Sequence, residues 1–130
     1  MSENNESPAM GPGNFCWNEL LSTDVEASKA FYTGLFGWST SAFEKSPEYT
    51  LFKKEGTERG IGGMMQAPKP GMPAQWLPYV LVDDVDASAA KVLGLGGQVM
   101  APPFDIPTIG RIAILLDPQG APVGIIKPSR

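Results

Sequence analysis

The chain has 130 residues, of which 42% are hydrophobic and 18% charged, and this balance is typical of one globular domain rather than of a disordered segment. The net charge of −4 and the lack of a Lys or Arg cluster argue against a nucleic-acid surface. The longest aliphatic run, IAILL, is too short to cross a bilayer. Cys16 is the one cysteine and the N-terminus resembles no signal peptide, so we expect a cytoplasmic protein that contacts no membrane.

Composition shifts along the chain predict a tail and two modules. Residues 1–13 are polar and acidic, and we interpret them as a disordered tail. Residues 14–130 then form a single domain. Its first module spans residues 14–66 and its second spans residues 75–130. Between them lies the linker 67–74, APKPGMPA, whose prolines continue neither a helix nor a strand.

The two modules share a helical segment. Residues 23–38 and residues 83–98 are identical at eight of sixteen positions without a gap, which indicates an internal repeat. Thr23 and Glu26 have the spacing of a capping box. Gly97 is placed to end the second helix, because glycine tolerates a positive φ angle.

Strand patterns surround each helix and give both modules the order β-α-β-β-β. In the first module, a strand before the helix is predicted over 15–22, and strands after it over 38–44, 49–56 and 59–66. In the second module, the predicted strands cover 76–82, the start of a strand at 98–100, 111–116 and 121–127, with a loop over 102–110 and a DPQG turn.

The first helix carries more apolar side chains than one small sheet needs to cover. Val25, Tyr32 and Leu35 lie on one helical face, which Phe31 and Phe36 widen. Small oligomers commonly bury such surplus apolar surface around a two-fold axis. We therefore expect a homodimer, and the sequence leaves open whether the modules pair within a chain or swap between chains.

The run D-V-E-A-S-x-x-F-Y-x-x-L-F-G-W at residues 24–38, together with D-P-Q-G at 117–120, resembles the vicinal oxygen chelate superfamily. That group includes glyoxalase I, bleomycin-resistance proteins and extradiol dioxygenases, and the resemblance covers residues 14–128. It implies an α+β fold of two tandem βαβββ modules whose curved mixed sheets form a cup. The opening FCWNELLSTD and the triplet Ile109-Gly110-Arg111 look like a glyoxalase-like subgroup without a defined reaction.

In the metal-dependent members of that family, first and last strands of the modules supply ligands to a divalent ion that holds two substrate oxygens. The resemblance assigns these positions here to Trp17, Leu77 and Gly124, with the fourth near Met64 or at Gly62 or Gly63. None of these side chains binds a hard or borderline divalent cation well, and the chain contains no histidine. We therefore expect neither a metal nor another cofactor.

Glu19 is the candidate catalytic residue. It lies in the apolar run FCWNELL, and strand alternation puts it on one face with Trp17 and Leu21. If that face lines the cup, Glu19 is a carboxylate in a hydrophobic pocket, a setting that suits a general acid or base. The alternative is a structural salt bridge or an exposed position at a sheet edge.

Three aromatic residues are candidate ligand contacts beside Glu19. Trp17, Trp76 and Tyr79 offer flat apolar surfaces, each with one hydrogen-bonding group. The alternative for all three is ordinary packing in the core.

The residues support three functional hypotheses. The first is a metal-free protein that binds a small apolar or aromatic molecule in its cup. The second is an enzyme of the lyase, isomerase or dioxygenase type that uses Glu19 or an atypically placed metal. The third is a structural or regulatory interaction module. The residues name no substrate, and whether any reaction is catalysed is left open.

Overall fold

A computed structural model describes residues 11–129, and each half of it has the predicted order β-α-β-β-β. A short 3-10 turn, Leu93–Leu95, follows the second helix. The elements are β1 (Phe15–Ser22), α1 (Val25–Phe36), β2 (Ser39–Phe43), β3 (Ser46–Lys53), β4 (Gly60–Gln66), β5 (Gln75–Leu81), α2 (Val85–Val92), β6 (Gln98–Ile106), β7 (Gly110–Leu116) and β8 (Pro122–Pro128). The predicted α+β class is confirmed. No helix in this range is long and apolar enough to span a membrane.

The predicted tail falls mostly on residues 1–10, which lie outside the described residues. Residues 11–14 form a turn, in which the Asn14 amide donates to the Gly11 carbonyl. The Gly13 amide also donates to the Leu81 carbonyl at 2.8 Å, so the chain is already hydrogen-bonded before β1 begins.

The chain divides into two compact units, and each contains four strands with mixed parallel and antiparallel pairing. The N-terminal unit comprises Trp17–Leu77, and the C-terminal unit comprises the described residues on either side of it. The strand order is β2-β3-β4-β1 in the N-terminal unit and β5-β8-β7-β6 in the C-terminal unit. In each βαβββ unit the first and last strands along the chain form a parallel pair, β1 with β4 and β5 with β8. The other pairs are antiparallel.

Both helices begin at an aspartate, one residue later than the predicted capping box. The Asp24 carboxylate accepts a hydrogen bond from the Ala27 amide at 3.1 Å, and Asp84 accepts from Ala87 at 3.0 Å. Thr23 is therefore not the cap residue of α1. Asp24, one position later, already accepts the hydrogen bond from the free Ala27 amide.

The glycine that ends the second helical segment is Gly96, with φ 93°, rather than Gly97. Gly97 is required for a different reason. A side chain there would begin 2.5 Å from the Leu116 carbonyl oxygen.

Strand β6 runs through most of the predicted loop. It extends across Pro102 and Pro103 and pairs with β7 through two register shifts. The prolines are tolerated because β6 is the edge strand of its sheet, where a missing amide proton breaks no ladder on the outer side. The loop before β7 shrinks to residues 107–109.

Helix α1 packs on its sheet mainly through an aromatic cluster near its C-terminal end. The Tyr32 ring lies 6.1 Å from Trp38, 6.1 Å from Phe52 and 5.4 Å from Trp76, measured between centroids. Phe52 is fully buried together with Leu20 and Met64 of the neighbouring strands.

In the C-terminal unit, Arg111 on β7 ties the first turn of α2 to the sheet. Its guanidinium donates to Asp86 at 2.8 and 2.9 Å and to Asp105 at 3.1 Å. The hydrogen bonds from Arg111 lower the pKa of Asp86 below its usual range. Beneath this contact Val85 is buried against Ala113.

The outer face of α1 is apolar and exposed. Ala27, Ala30, Phe31, Gly34 and Leu35 recur at the spacing of one helical stripe, and all five are exposed. Leu35 shares its predicted helical face with Val25 and Tyr32, yet 59% of it is exposed, the same fraction as for Phe31. The Tyr32 ring occupies the sheet side, so Leu35 turns outward.

The homodimer stays a prediction, and this α1 stripe is its proposed contact with a second copy. If a large side chain offers about 200 Å², the exposed parts of Phe31 and Leu35, with Phe36 beside the stripe, give roughly 350 Å² per chain. A standard interface needs about 800 Å² per partner, so the helix pair would supply its apolar centre.

Light scattering should give a mass of roughly twice 13.9 kDa. Phe31→Asp should shift the mass to that of the monomer, because it places a charge in the contact. Leu95→Asp is the matched control, since Leu95 is 75% exposed in the other unit and its substitution should leave the mass unchanged. A wild-type mass near 13.9 kDa would contradict the prediction.

Candidate functional site

Strand β1 presents alternate residues to the two faces of the N-terminal sheet. Leu20 packs on the side of α1, so Glu19 and Leu21 point to the opposite face. Glu19 is 1% exposed and Leu21 is completely buried. A carboxylate is rarely buried to this extent unless other groups hydrogen-bond to it.

Tyr49 on β3 joins Glu19 and Trp17 into one hydrogen-bonded network. The Trp17 Nε1 group donates to the Tyr49 hydroxyl at 2.9 Å. The same hydroxyl is hydrogen-bonded to the Glu19 side chain, and it donates there because a carboxylate only accepts. The network therefore runs from a half-buried indole, through a buried phenol, to a buried acid.

The phenol of Tyr49 stays protonated in this setting. Burial raises its pKa most, and the negative charge of Glu19 raises it further. The hydrogen bond from Trp17 lowers the pKa, but it does not offset these two causes. Tyr49 thus acts as a permanent donor to Glu19 rather than as a base.

The network depends on a glycine in the neighbouring strand. Gly63 lies opposite Glu19 in the β1–β4 pair, and the Tyr49 ring fills the space where a side chain at Gly63 would begin. At Gly62, a side chain would begin 3.1 Å from the carbonyl oxygen of Asn18. Both glycines therefore admit a close neighbour, as glycines within a strand often do.

The C-terminal unit repeats this arrangement with different chemistry. Tyr79 lies opposite Gly124 in the β5–β8 pair, as Glu19 lies opposite Gly63 in the β1–β4 pair. The Tyr79 ring is fully buried and fills the space over Gly124. The two registers therefore identify Gly63, among the alternatives left by the sequence, as the counterpart of Gly124.

The family's metal-ligand positions can now be placed, and they fall on Trp17, Gly63, Leu77 and Gly124. One is an indole, one is aliphatic, and two are glycines under tyrosine rings. Within residues 11–129, no group of three or more His, Cys, Asp or Glu side chains is placed to hold an ion. These residues do not fit a divalent cation bound in the family's manner.

Trp76 lies apart from the network. Its Nε1 group donates to the Tyr32 hydroxyl at 3.0 Å, and its ring lies 6.3 Å from Phe52 on the α1 side of the sheet. The structure therefore brings Trp17 and Glu19 together but places Trp76 in the aromatic cluster beneath α1.

Tyr49 is not among the site residues predicted from the sequence. The Gly62-Gly63 pair signals that something approaches β4 closely. Which group does so depends on the β3–β4 register, which shifts at Phe52/Lys53 and cannot be obtained from alternation alone.

The element order defines an α+β protein built from two βαβββ units. The family model of the Glyoxalase/Bleomycin resistance protein/Dioxygenase superfamily matches residues 16–125. The chain belongs to this superfamily.

Curated relatives show how much of a longer protein the chain matches. It is 44% identical over 119 residues to "Putative glyoxylase CFP32" of Mycobacterium tuberculosis, covering 90% of this chain and 45% of that protein. It is 37% identical over 124 residues to "Anthracycline biosynthesis protein DnrV" of Streptomyces peucetius, covering 85% and 45%. The chain thus spans about half the length of the curated relatives it matches.

Solved structures share the fold at low sequence identity. A methylmalonyl-CoA epimerase of Streptomyces coelicolor matches with a TM-score of 0.58 at 18% identity, over 92% of this chain and all of that one (100%). The Mn(II)-bound glyoxalase of Novosphingobium aromaticivorans matches with a TM-score of 0.55 at 20% identity, over 89% of this chain and 39% of the other. These likenesses concern the fold alone.

Replacing Tyr49 by Phe tests the network. We expect Tyr49→Phe to lower the free energy of unfolding by about 1–3 kcal/mol, because buried Glu19 loses a donor. Urea denaturation measures the change. In a Glu19→Gln background the same substitution should cost less, since the two side chains are coupled.

The matched control is Tyr32→Phe, which removes a hydroxyl that also accepts from a tryptophan but at an exposed contact. We expect it to cost less than about 1 kcal/mol, since water can replace the lost partner. Equal costs for the two substitutions would contradict a special role of Tyr49.

Proposed function

We propose that this chain is a metal-free member of the superfamily that binds a small, mostly apolar or aromatic molecule. The ligand lies against the sheet face that carries Trp17 and Glu19. The observation that carries this proposal is the replacement of all four family ligand positions, with tyrosine rings over the two glycines. Because the four family positions carry no metal-binding side chains here, these residues can bind a small molecule only through shape and aromatic contact.

The Trp17 indole is the proposed contact surface. It is half-buried, and its Nε1 group is held by Tyr49, so its orientation is fixed before a ligand arrives. A fixed aromatic wall loses little conformational entropy on binding and offers a broad apolar contact. The prediction that Tyr79 also contacts the ligand stays a prediction.

The names of the relatives guide the choice of ligands. One relative is named for anthracycline biosynthesis. Anthracyclines are flat polycyclic aromatic compounds, which suit stacking on an indole. They therefore belong at the head of a panel of aromatic natural products.

A thermal-shift screen with this panel is the direct test. A ligand at about ten times its Kd should stabilise the protein by about 1.4 kcal/mol, which raises the Tm by several degrees. Trp17→Ala should abolish the shift. Trp76→Ala should keep it, although the variant starts from a lower Tm, because Trp76 packs on the α1 side. No shift with any compound would count against the proposal.

The metal-free state has its own measurement. Elemental analysis of protein purified without chelator should find less than about 0.1 equivalents of transition metal per chain, because the family ligand positions carry no donor set for one. A stoichiometric metal would overturn this part of the proposal.

An enzyme of the lyase, isomerase or dioxygenase type is the second candidate. The buried Glu19 carboxylate favours it, because a buried acid beside a fixed hydroxyl donor is suited to proton transfer. The relative named as a glyoxylase points the same way. Turnover that Glu19→Gln removes, while ligand binding persists, would favour this candidate over a simple binding protein and over an interaction module.

A further inference from the structure

A concavity lies under the first half of α1, on the face of the N-terminal sheet opposite to Glu19. Its volume is about 390 Å³. We call it the α1 cleft. Its wall includes Val25, Glu26 and Lys29 of α1, and its floor includes Glu48 and Thr50 of β3. It shares no residue with the network of Trp17, Tyr49 and Glu19.

Thr50 is the unusual residue of this floor. It is 7% exposed, and within residues 11–129 its hydroxyl has no hydrogen-bond partner. Buried hydroxyls are normally paired, because a buried group without a partner costs free energy. Thr50 lies on the same side of β3 as Phe52, the side that faces α1, and it lines the cleft.

The C-terminal unit supplies an internal comparison. Thr50 lies opposite Met64, next to Gly63, and Ala113 lies opposite Ile125, next to Gly124. The two registers therefore make Ala113 the counterpart of Thr50. Ala113 is fully buried against Val85 in an apolar cluster. The same position thus carries a methyl group in a packed core in one unit and a hydroxyl-bearing side chain that lines a cleft in the other.

Two residues before Thr50 in β3 and two before Ala113 in β7, the two units differ in the charge of the side chain. Glu48 is the counterpart of Arg111, and Glu26 is the counterpart of Asp86. In the C-terminal unit, the Arg111 guanidinium lies in the wall of a groove of about 470 Å³ and pairs with Asp86. In the N-terminal unit both positions are acidic, so β3 supplies no cation in the place of Arg111.

The wall of the α1 cleft also contains a lysine, whose ion pair is with Glu26 and not with Glu48. Lys29 pairs with Glu26 at 3.5 Å along the helix. Glu48 has no ion pair within residues 11–129. Within the described residues, the floor of the cleft therefore combines an acid without an ion pair, Glu48, with a buried hydroxyl without a hydrogen-bond partner, that of Thr50.

We propose that the α1 cleft binds a small organic cation, an ammonium or guanidinium compound with a short apolar stem. The cation takes the place that Arg111 occupies in the C-terminal unit and pairs with Glu48 and Glu26. The Thr50 hydroxyl hydrogen-bonds to the ligand, and Val25 contacts its stem. This site lies on the opposite face of the sheet from Trp17, so it does not depend on the proposed function.

Ethylguanidinium, which copies the end of an arginine side chain, is the probe. Titration followed by amide NMR should give saturable shifts at residues 26, 29, 48 and 50. Glycerol and acetate, at the same concentrations, should give none. Equal binding of glycerol, or no saturable shift with ethylguanidinium, would overturn the assignment.

Glu48→Arg tests the charge comparison, because it rebuilds the C-terminal arrangement with its own guanidinium beside Glu26. We expect it to weaken ethylguanidinium binding by about tenfold or more, the loss of one charge-assisted hydrogen bond, without lowering the Tm. Glu58→Arg makes the same charge change at an exposed position outside the cleft, and its effect should stay below about twofold. Equal weakening by both variants would show a general charge effect and would refute the site.

Thr50→Val separates a binding role from a structural one. It removes the hydroxyl at nearly constant volume. We expect weaker ethylguanidinium binding and an unchanged or higher Tm, since a buried hydroxyl without a partner is lost. A lower Tm with unchanged binding would assign the hydroxyl to the fold and contradict the proposal.

Discussion

The hydrogen bond from the Tyr49 hydroxyl to the buried Glu19 side chain is the interaction on which the arrangement of the N-terminal unit depends. A carboxylate such as Glu19, buried in a sheet, would destabilise the fold unless a donor met it there. Tyr49 supplies the donor and is itself held by Trp17, so three side chains from two strands share one geometry. The Tyr49 ring needs the space over Gly63, so this small residue is as necessary as the polar groups. Stability and the shape of the candidate site therefore depend on the same contact.

Much of the fold follows from the sequence because its signals are local. Aspartates before each helix, glycines after it and alternation in the strands act over a few residues, and the structure moves most of these boundaries by one or two positions. The third strand, predicted over 49–56, is displaced by three residues to Ser46–Lys53. Strand β6 is the larger difference. Its prolines are typical of a loop in the sequence. The sheet order places them at an edge, where the missing amide protons cost little. Edge position depends on the whole topology, so no local pattern contains it.

The candidate site likewise contains residues that local patterns predict and residues that only the tertiary structure places. Alternation along β1 correctly puts Glu19 on the face of Leu21, since a period of two is a local property. Trp76 and Tyr49 could not be assigned from such patterns. Trp76 pairs with Tyr32, which lies 44 residues earlier in the chain, and Tyr49 reaches Glu19 only because β3 and β4 pair in one register. Contacts of this kind are set by the packing of distant segments.

The tyrosine rings over Gly63 and Gly124 also limit how this protein could change over time. An acid introduced at either glycine meets a ring already in place, whereas shortening the tyrosine first leaves an empty space in a buried region. Either order passes through a destabilised intermediate. A metal-ligating carboxylate at these positions is therefore reached only through two coupled substitutions in each unit. The two packed rings act as an evolutionary barrier against the chemistry for which the superfamily is known.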